Sequence, residues 1–76
     1  APPRNALMHA ITHGSQQEVE VIVDFGVPKL ADESVDDLLF YHQALLFSCT
    51  LAPLAAKHPE LALVLEWEWH RLSLED

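Results

Sequence analysis

Cysteine is nearly absent from this chain, and glycine and cationic residues are scarce. Cys49, two glycines and four Lys or Arg residues stand among 76 positions. A lone cysteine cannot close an intrachain disulfide, and no Cys/His spacing suits a structural zinc, so disulfide-stapled and zinc-finger scaffolds are excluded. Cys49 follows the apolar run Leu45-Leu46-Phe47, which predicts a buried, reduced thiol. With only Gly14 and Gly26 there is no glycine-rich loop to cradle a phosphate. Four cations against twelve acids give a formal charge of −8, and this argues against binding nucleic acid by phosphate neutralisation. No stretch approaches the roughly 18 uninterrupted apolar residues of a membrane span. The opening Ala1-Pro2-Pro3-Arg4 lacks the basic start and apolar run of a signal peptide, so a cytoplasmic protein is expected.

What is present is apolar. Half the residues are hydrophobic and 21% are charged, which excludes a disordered acidic tail. A chain of this length is expected to form one small domain, residues 1–76. Val19, Val21, Val23 and Phe25 alternate with Glu20, Ile22 and Asp24 between the punctuation of Gly14-Ser15-Gln16-Gln17 and Gly26-Val27-Pro28. That period of two, with β-branched content, predicts a half-buried strand. Asn5 to His13 fits either a short helix stopped by Gly14 or a strand; the short polar turn that follows favours a hairpin with Val19 to Phe25.

Ser34 to Leu51 reads as the main helix. Ser34 is a cap, Asp37 three residues on completes a capping-box-like start, and Asp36 and Asp37 suit the positive end of the helix dipole. Val35, Leu38, Leu39, His42, Leu45, Leu46 and Cys49 form its apolar stripe, widened by Phe40, Ala44, Phe47 and Leu51. Pro53 ends it or begins a short helix, Leu54 to Lys57. In the C-terminal segment Pro59-Glu60-Leu61 resembles a helix start, but Leu63, Leu65, Trp67 and Trp69 share one parity and Glu66, Glu68 and His70 the other. This alternation predicts a strand from about Leu63 to Leu74. The expected fold is therefore α+β, a two- or three-stranded mostly antiparallel sheet with one main helix (about 34–51) on one face. Val19, Val21, Val23, Phe25, Leu65, Trp67 and Trp69 would point at that helix.

The run Ala6-Leu7-Met8-His9-Ala10, followed by Gly14, Val19, Val21-Ile22-Val23 and Gly26, resembles one degenerate ankyrin repeat in spacing. Asn5-Ala6-Leu7-Met8 stands where that family has Thr-Pro-Leu-His, and no second copy follows at a 33-residue period. A single repeat cannot bury its own face, and the resemblance is not adopted.

Residues able to carry chemistry are few. His9 and His13 have metal-ligand spacing on a helix, but two ligands do not make a site. His42 lies on the apolar stripe and is expected to be a core histidine bonded to a backbone carbonyl or a carboxylate. Cys49 is two helical turns from it, roughly 10 Å, too far for direct activation. Ser34 and Ser48 sit in no nucleophile-elbow motif. No enzyme activity, metal or cofactor is expected. The run Asp32-Glu33-Ser34-Val35-Asp36-Asp37 caps a helix or forms an electrostatic patch for a basic partner. Glu66 and Glu68, on one face of the expected strand, would be a solvated face or paired carboxylates for acid–base work.

These features fit a small acidic protein-interaction module, an adaptor, regulator or inhibitor acting by surface occupation. Asp32, Glu33, Asp36, Asp37, Phe40, Phe47, Glu66 and Glu68 are its candidate partner-binding residues. One alternative is a nucleic-acid mimic whose carboxylates imitate phosphates. Another is a small metal- or ligand-binding enzyme subunit using His9, His13 and the Glu66/Glu68/His70 face. The expected partner is another protein, together with a homodimer formed through Phe40, Ala44, Phe47 and Leu51, which one sheet would leave uncovered.

Overall fold

A computed structural model describes residues 4–75. Among them the chain forms five helices and no strand: α1 (Arg4–His13), α2 (Gln16–Glu33), α3 (Val35–Phe47), α4 (Leu51–Lys57) and α5 (Glu60–Glu75). The α+β expectation is overturned; the fold is all-α. The opening Ala1-Pro2-Pro3, read above for leader character, lies outside the described residues.

The segment expected as a strand, Val19 to Phe25, lies inside α2. Its buried residues are Val19, Val23, Gly26, Val27 and Leu30, spaced by three and four, which is one face of a helix. Val21 and Phe25, which the alternation placed in the core, are exposed on the far side. Burial along this stripe overrides the β-preference of the valines. The helix also runs through Pro28. Pro28 removes the bond to the carbonyl of Asp24, but both residues are exposed, so water can satisfy that carbonyl.

The expected hairpin is two helices instead. Gly14 N donates to the Ala10 carbonyl at 2.9 Å to close α1, and the Ser15 hydroxyl accepts from Glu18 N at 3.2 Å to open α2. A joint of two residues makes α1 and α2 antiparallel neighbours. A Cβ at Gly14 would stand 2.9 Å from the Ala10 carbonyl oxygen, so the close approach of backbone requires glycine here.

The main helix starts where its cap placed it. The Ser34 hydroxyl accepts from Asp37 N at 3.1 Å. The other arm of the box is missing, because Ser34 N donates to the Leu30 carbonyl and the Asp37 carboxylate turns to Arg4. Leu51, expected as the end of this helix, instead opens α4. α3 packs against each of the other four helices, and its fully buried Leu38, Tyr41 and Leu45 join Leu7, Leu30, Leu54, Leu61 and Val64 in the core. The stripe was wide because helices cover α3 on several sides. Leu46 is nevertheless exposed.

Cys49 is exposed, against the expectation of a buried thiol. It holds φ 62°, with Cys49 N donating to the Leu46 carbonyl and Thr50 N to the Leu45 carbonyl. That pair of bonds is a Schellman helix end, with cysteine at the left-handed position that glycine ordinarily takes.

The second expected strand is α5. Pro59 directly precedes its first residue, where a missing N–H removes no bond of the helix. Ala62 N and Leu63 N both donate to the Pro59 carbonyl. Leu, Glu, Ala and Trp carry no strand-enforcing β-branch, and Leu, Ala and Glu are strong helix formers. Leu61 and Val64 are fully buried against the bundle.

Candidate functional site

On α5, Leu65, Trp69 and Leu72 fall within about 60° of arc, and Leu63, Trp67 and Leu74 within about 40° on the opposite flank. The two-residue alternation that suggested a strand is thus two apolar ridges of a helix. All six side chains are exposed to at least a third, and Trp69 is 75% exposed. Between the ridges, on the outer side, lie the exposed Glu66 and His70. On the inner side, beyond Leu61 and Val64, the helix turns polar at Glu68 and Arg71. Arg71 Nη2 lies 2.5 Å from Glu68 Oε1 and 3.5 Å from Asp36 Oδ1, which fastens the second half of α5 to the start of α3.

The candidate acids divide. Asp32, Glu33 and Asp36 are exposed around the Ser34 joint between α2 and α3. Asp37 is partly buried, with Arg4 Nε donating to its Oδ1 at 2.8 Å. The Arg4 bond, helped by the Ser34 hydroxyl, outweighs the desolvation of Asp37 and holds its carboxyl below the ordinary carboxylate value. Phe40 is half-buried beneath the Arg4 guanidinium, 4.8 Å from its ring centre. Glu66 and Glu68, placed on one face by the strand reading, are about 200° apart on a helix. Glu66 faces solvent, while Glu68 is partly buried and its Oε2 has no hydrogen-bond partner among the described residues. Phe47 is 86% exposed, about 16 Å along α3 from Asp36. The structure therefore joins Asp36 to Glu68 through Arg71 and Asp37 to Phe40 through Arg4, and leaves Phe47 apart. Sequence reasoning missed Leu65, Trp69 and Leu72 as a surface; their i, i+4, i+7 spacing was the available signal.

All four Lys or Arg residues of the chain are engaged within it. Besides Arg4 and Arg71, Lys57 Nζ lies 2.9 Å from Asp24 Oδ2, and Lys29 Nζ stands 3.8 Å from the Phe25 ring centre. Asp32, Glu33 and Glu66 have no ion pair among the described residues.

The histidines do not converge. His9 and His13 lie on the exposed face of α1 with ring centres 5.2 Å apart and ring planes tilted by 55°. Among the described residues no group of three or more His, Cys, Asp or Glu side chains is arranged to hold a metal. His42 is buried and its Nδ1 donates to the Leu61 carbonyl at 2.5 Å, the core role expected of it. A hollow of about 140 Å³ between the α1–α2 joint and the end of α3 is lined by three hydroxyls, of which Ser48 and Thr50 are bonded to each other at 2.7 Å and Ser15 accepts from Glu18 N. No helix among the described residues is long and apolar enough to cross a membrane. No protein-family model, curated protein or solved structure matches the chain.

Proposed function

We propose that this chain is a non-catalytic protein-interaction module that acts by occupying another protein's surface, and that α5 carries the contact. The observation that supports this reading is Trp69, three-quarters exposed between Leu65 and Leu72 on a helix whose inner face is anchored by Leu61 and Val64. Tryptophan is the residue type most enriched among those that dominate binding energy, and an exposed apolar ridge at this spacing suits helix-in-groove recognition. The homodimer face expected on α3 is not carried forward. Ala44 is buried, and Phe40 and Leu51 pack against the core, so of the four residues expected to form it only Phe47 stays exposed. The test is affinity capture from the source organism with the wild-type chain, Trp69→Ser and Phe47→Ser, read by quantitative mass spectrometry. A protein retained by wild type and Phe47→Ser but lost by Trp69→Ser is the expected result. If nothing captured depends on Trp69, the α5 reading fails.

A further inference from the structure

The end of the molecule that holds the α5 ridge also holds three acids, Asp32, Glu33 and Glu66, without an ion pair among the described residues; Glu18 and Glu20, likewise without one, lie in the first half of α2. Asp36 lies within 3.5 Å of Arg71, the residue just before Leu72. Asp32 and Glu33 sit at the same joint, with neither in an ion pair among the described residues. Glu66 follows Leu65 directly on the outer side of the ridge. Because the chain's own cations are already committed to Asp24, Asp36, Asp37, Glu68 and Phe25, a positive complement must come from outside. A second copy supplies none, since it brings the same −8, and like charges brought together at an interface are costly.

We propose that the Leu65–Trp69–Leu72 ridge docks a basic amphipathic helical segment of another protein, with aliphatic side chains against the ridge and Lys or Arg alongside it facing Asp32, Glu33, Asp36 and Glu66. This rests on the interaction reading above and adds the chemical class of the partner. Apolar contact supplies the anchor, and the acids set partner sign and association rate. Both components are needed: an acid-only surface would bind any polycation, and an apolar-only ridge would ignore charge.

The probes are two synthetic amphipathic peptides of about 15 residues, long enough to form a helix on binding, one of Leu and Lys and its counterpart of Leu and Glu. They are titrated into the 76-residue chain carrying Trp67→Phe, so that Trp69 is the sole reporting indole. The Leu/Lys peptide should shift Trp69 emission to the blue and bind at least about ten-fold tighter than the Leu/Glu peptide, with affinity falling several-fold as salt is raised past the screening range. Asp32→Asn, Glu33→Gln and Glu66→Gln together should flatten that salt dependence. Trp69→Ser and Leu72→Ser, followed by calorimetry, should each weaken binding about ten-fold while circular dichroism stays unchanged. Equal affinity for the two peptides, or binding of neither, would overturn the basic-partner proposal and leave captured Trp69-dependent proteins to speak for the broader reading. Binding of the Leu/Lys peptide that survives Trp69→Ser would overturn the ridge itself, and the interaction reading with it. A dimer in sedimentation that Trp69→Ser dissociates would make the second copy the occupant and overturn the proposal.

Discussion

Tyr41 has the largest of the fully buried side chains, and its hydroxyl has no hydrogen-bond partner among the described residues. Burial, with a smaller contribution from the Asp37 charge, raises its phenol above the ordinary value of 10.0. Removing one buried, unsatisfied hydroxyl while keeping the ring relieves a desolvation cost, so Tyr41→Phe is expected to be neutral or to stabilise by up to about 1 kcal/mol. The sign with pH follows from linkage. A group whose folded pKa is raised stabilises fully below its unfolded value and loses that contribution as pH climbs through the folded value. Wild type should therefore lose stability in alkali faster than Tyr41→Phe, measured by thermal unfolding from neutral pH to above pH 10. A Tyr41→Phe chain that is clearly less stable at neutral pH would mean that the hydroxyl has a partner after all. His42 shows the opposite outcome for a buried polar group. It was recognisable from its place on an apolar stripe, and the Leu61 carbonyl satisfies it.

At the scale of elements, legibility followed the caps and failed at the periodicity. Ser34 announced α3 because its short side chain competes for the backbone N–H of Asp37, and that chemistry is local. The end of α3 was misplaced because a Schellman end normally shows itself as glycine, and Cys49 occupies the position instead. The two supposed strands failed for different reasons. In α2, alternation over seven residues hid a stripe from Val19 to Leu30 that continues through Gly26 and Pro28, both read as boundaries. In α5, alternating Leu and Trp with Glu produced two opposite ridges, and the Pro59 start was the better guide. The helix end makes a prediction: Cys49→Gly should stabilise by up to about 1 kcal/mol, because φ 62° is strained for a residue with a Cβ and free for glycine. Denaturant unfolding at neutral pH would show it as a higher midpoint with unchanged slope. A lower midpoint would mean that the entropy glycine loses on folding exceeds the strain it removes.

Across the whole molecule the acids were readable and their grouping was not, because grouping depends on which helices meet. Asp36 and Glu68 are 32 positions apart and share Arg71, while the two neighbouring glutamates of α5 part company. Asp24 is the clearest case of charge used between elements: from α2 it accepts His58 Nε2 at 2.7 Å and Lys57 Nζ at 2.9 Å from the end of α4. His58 Nδ1 also lies 3.9 Å from Glu60 Oε1, so this junction holds two carboxylates and two bases, with Glu20 acting on Lys57 from farther off. The His58 bond first, and the Lys57 bond second, hold Asp24 below its ordinary value of 3.8, while Asp24 holds Lys57 above 10.5. A depressed carboxyl stabilises fully above its unfolded pKa and ceases to as pH falls through its folded one; a raised amine does the reverse at the alkaline end. Asp24→Asn should therefore melt below wild type across the range between those limits, and the gap should close in acid. A competing effect has the opposite sign. Neutralising one acid in a chain of charge −8 relieves self-repulsion, and salt screens both effects because the junction is exposed. Their pH profiles separate them. Relief of repulsion fades gradually as all the acids titrate, whereas the junction persists until Asp24 itself takes up a proton, below the ordinary carboxylate range. An Asp24→Asn chain that melts at or above wild type at neutral pH would show that repulsion outweighs the α2–α4 junction. A gap that holds at neutral pH and closes only after the bulk of the carboxylates have titrated is the result the geometry requires.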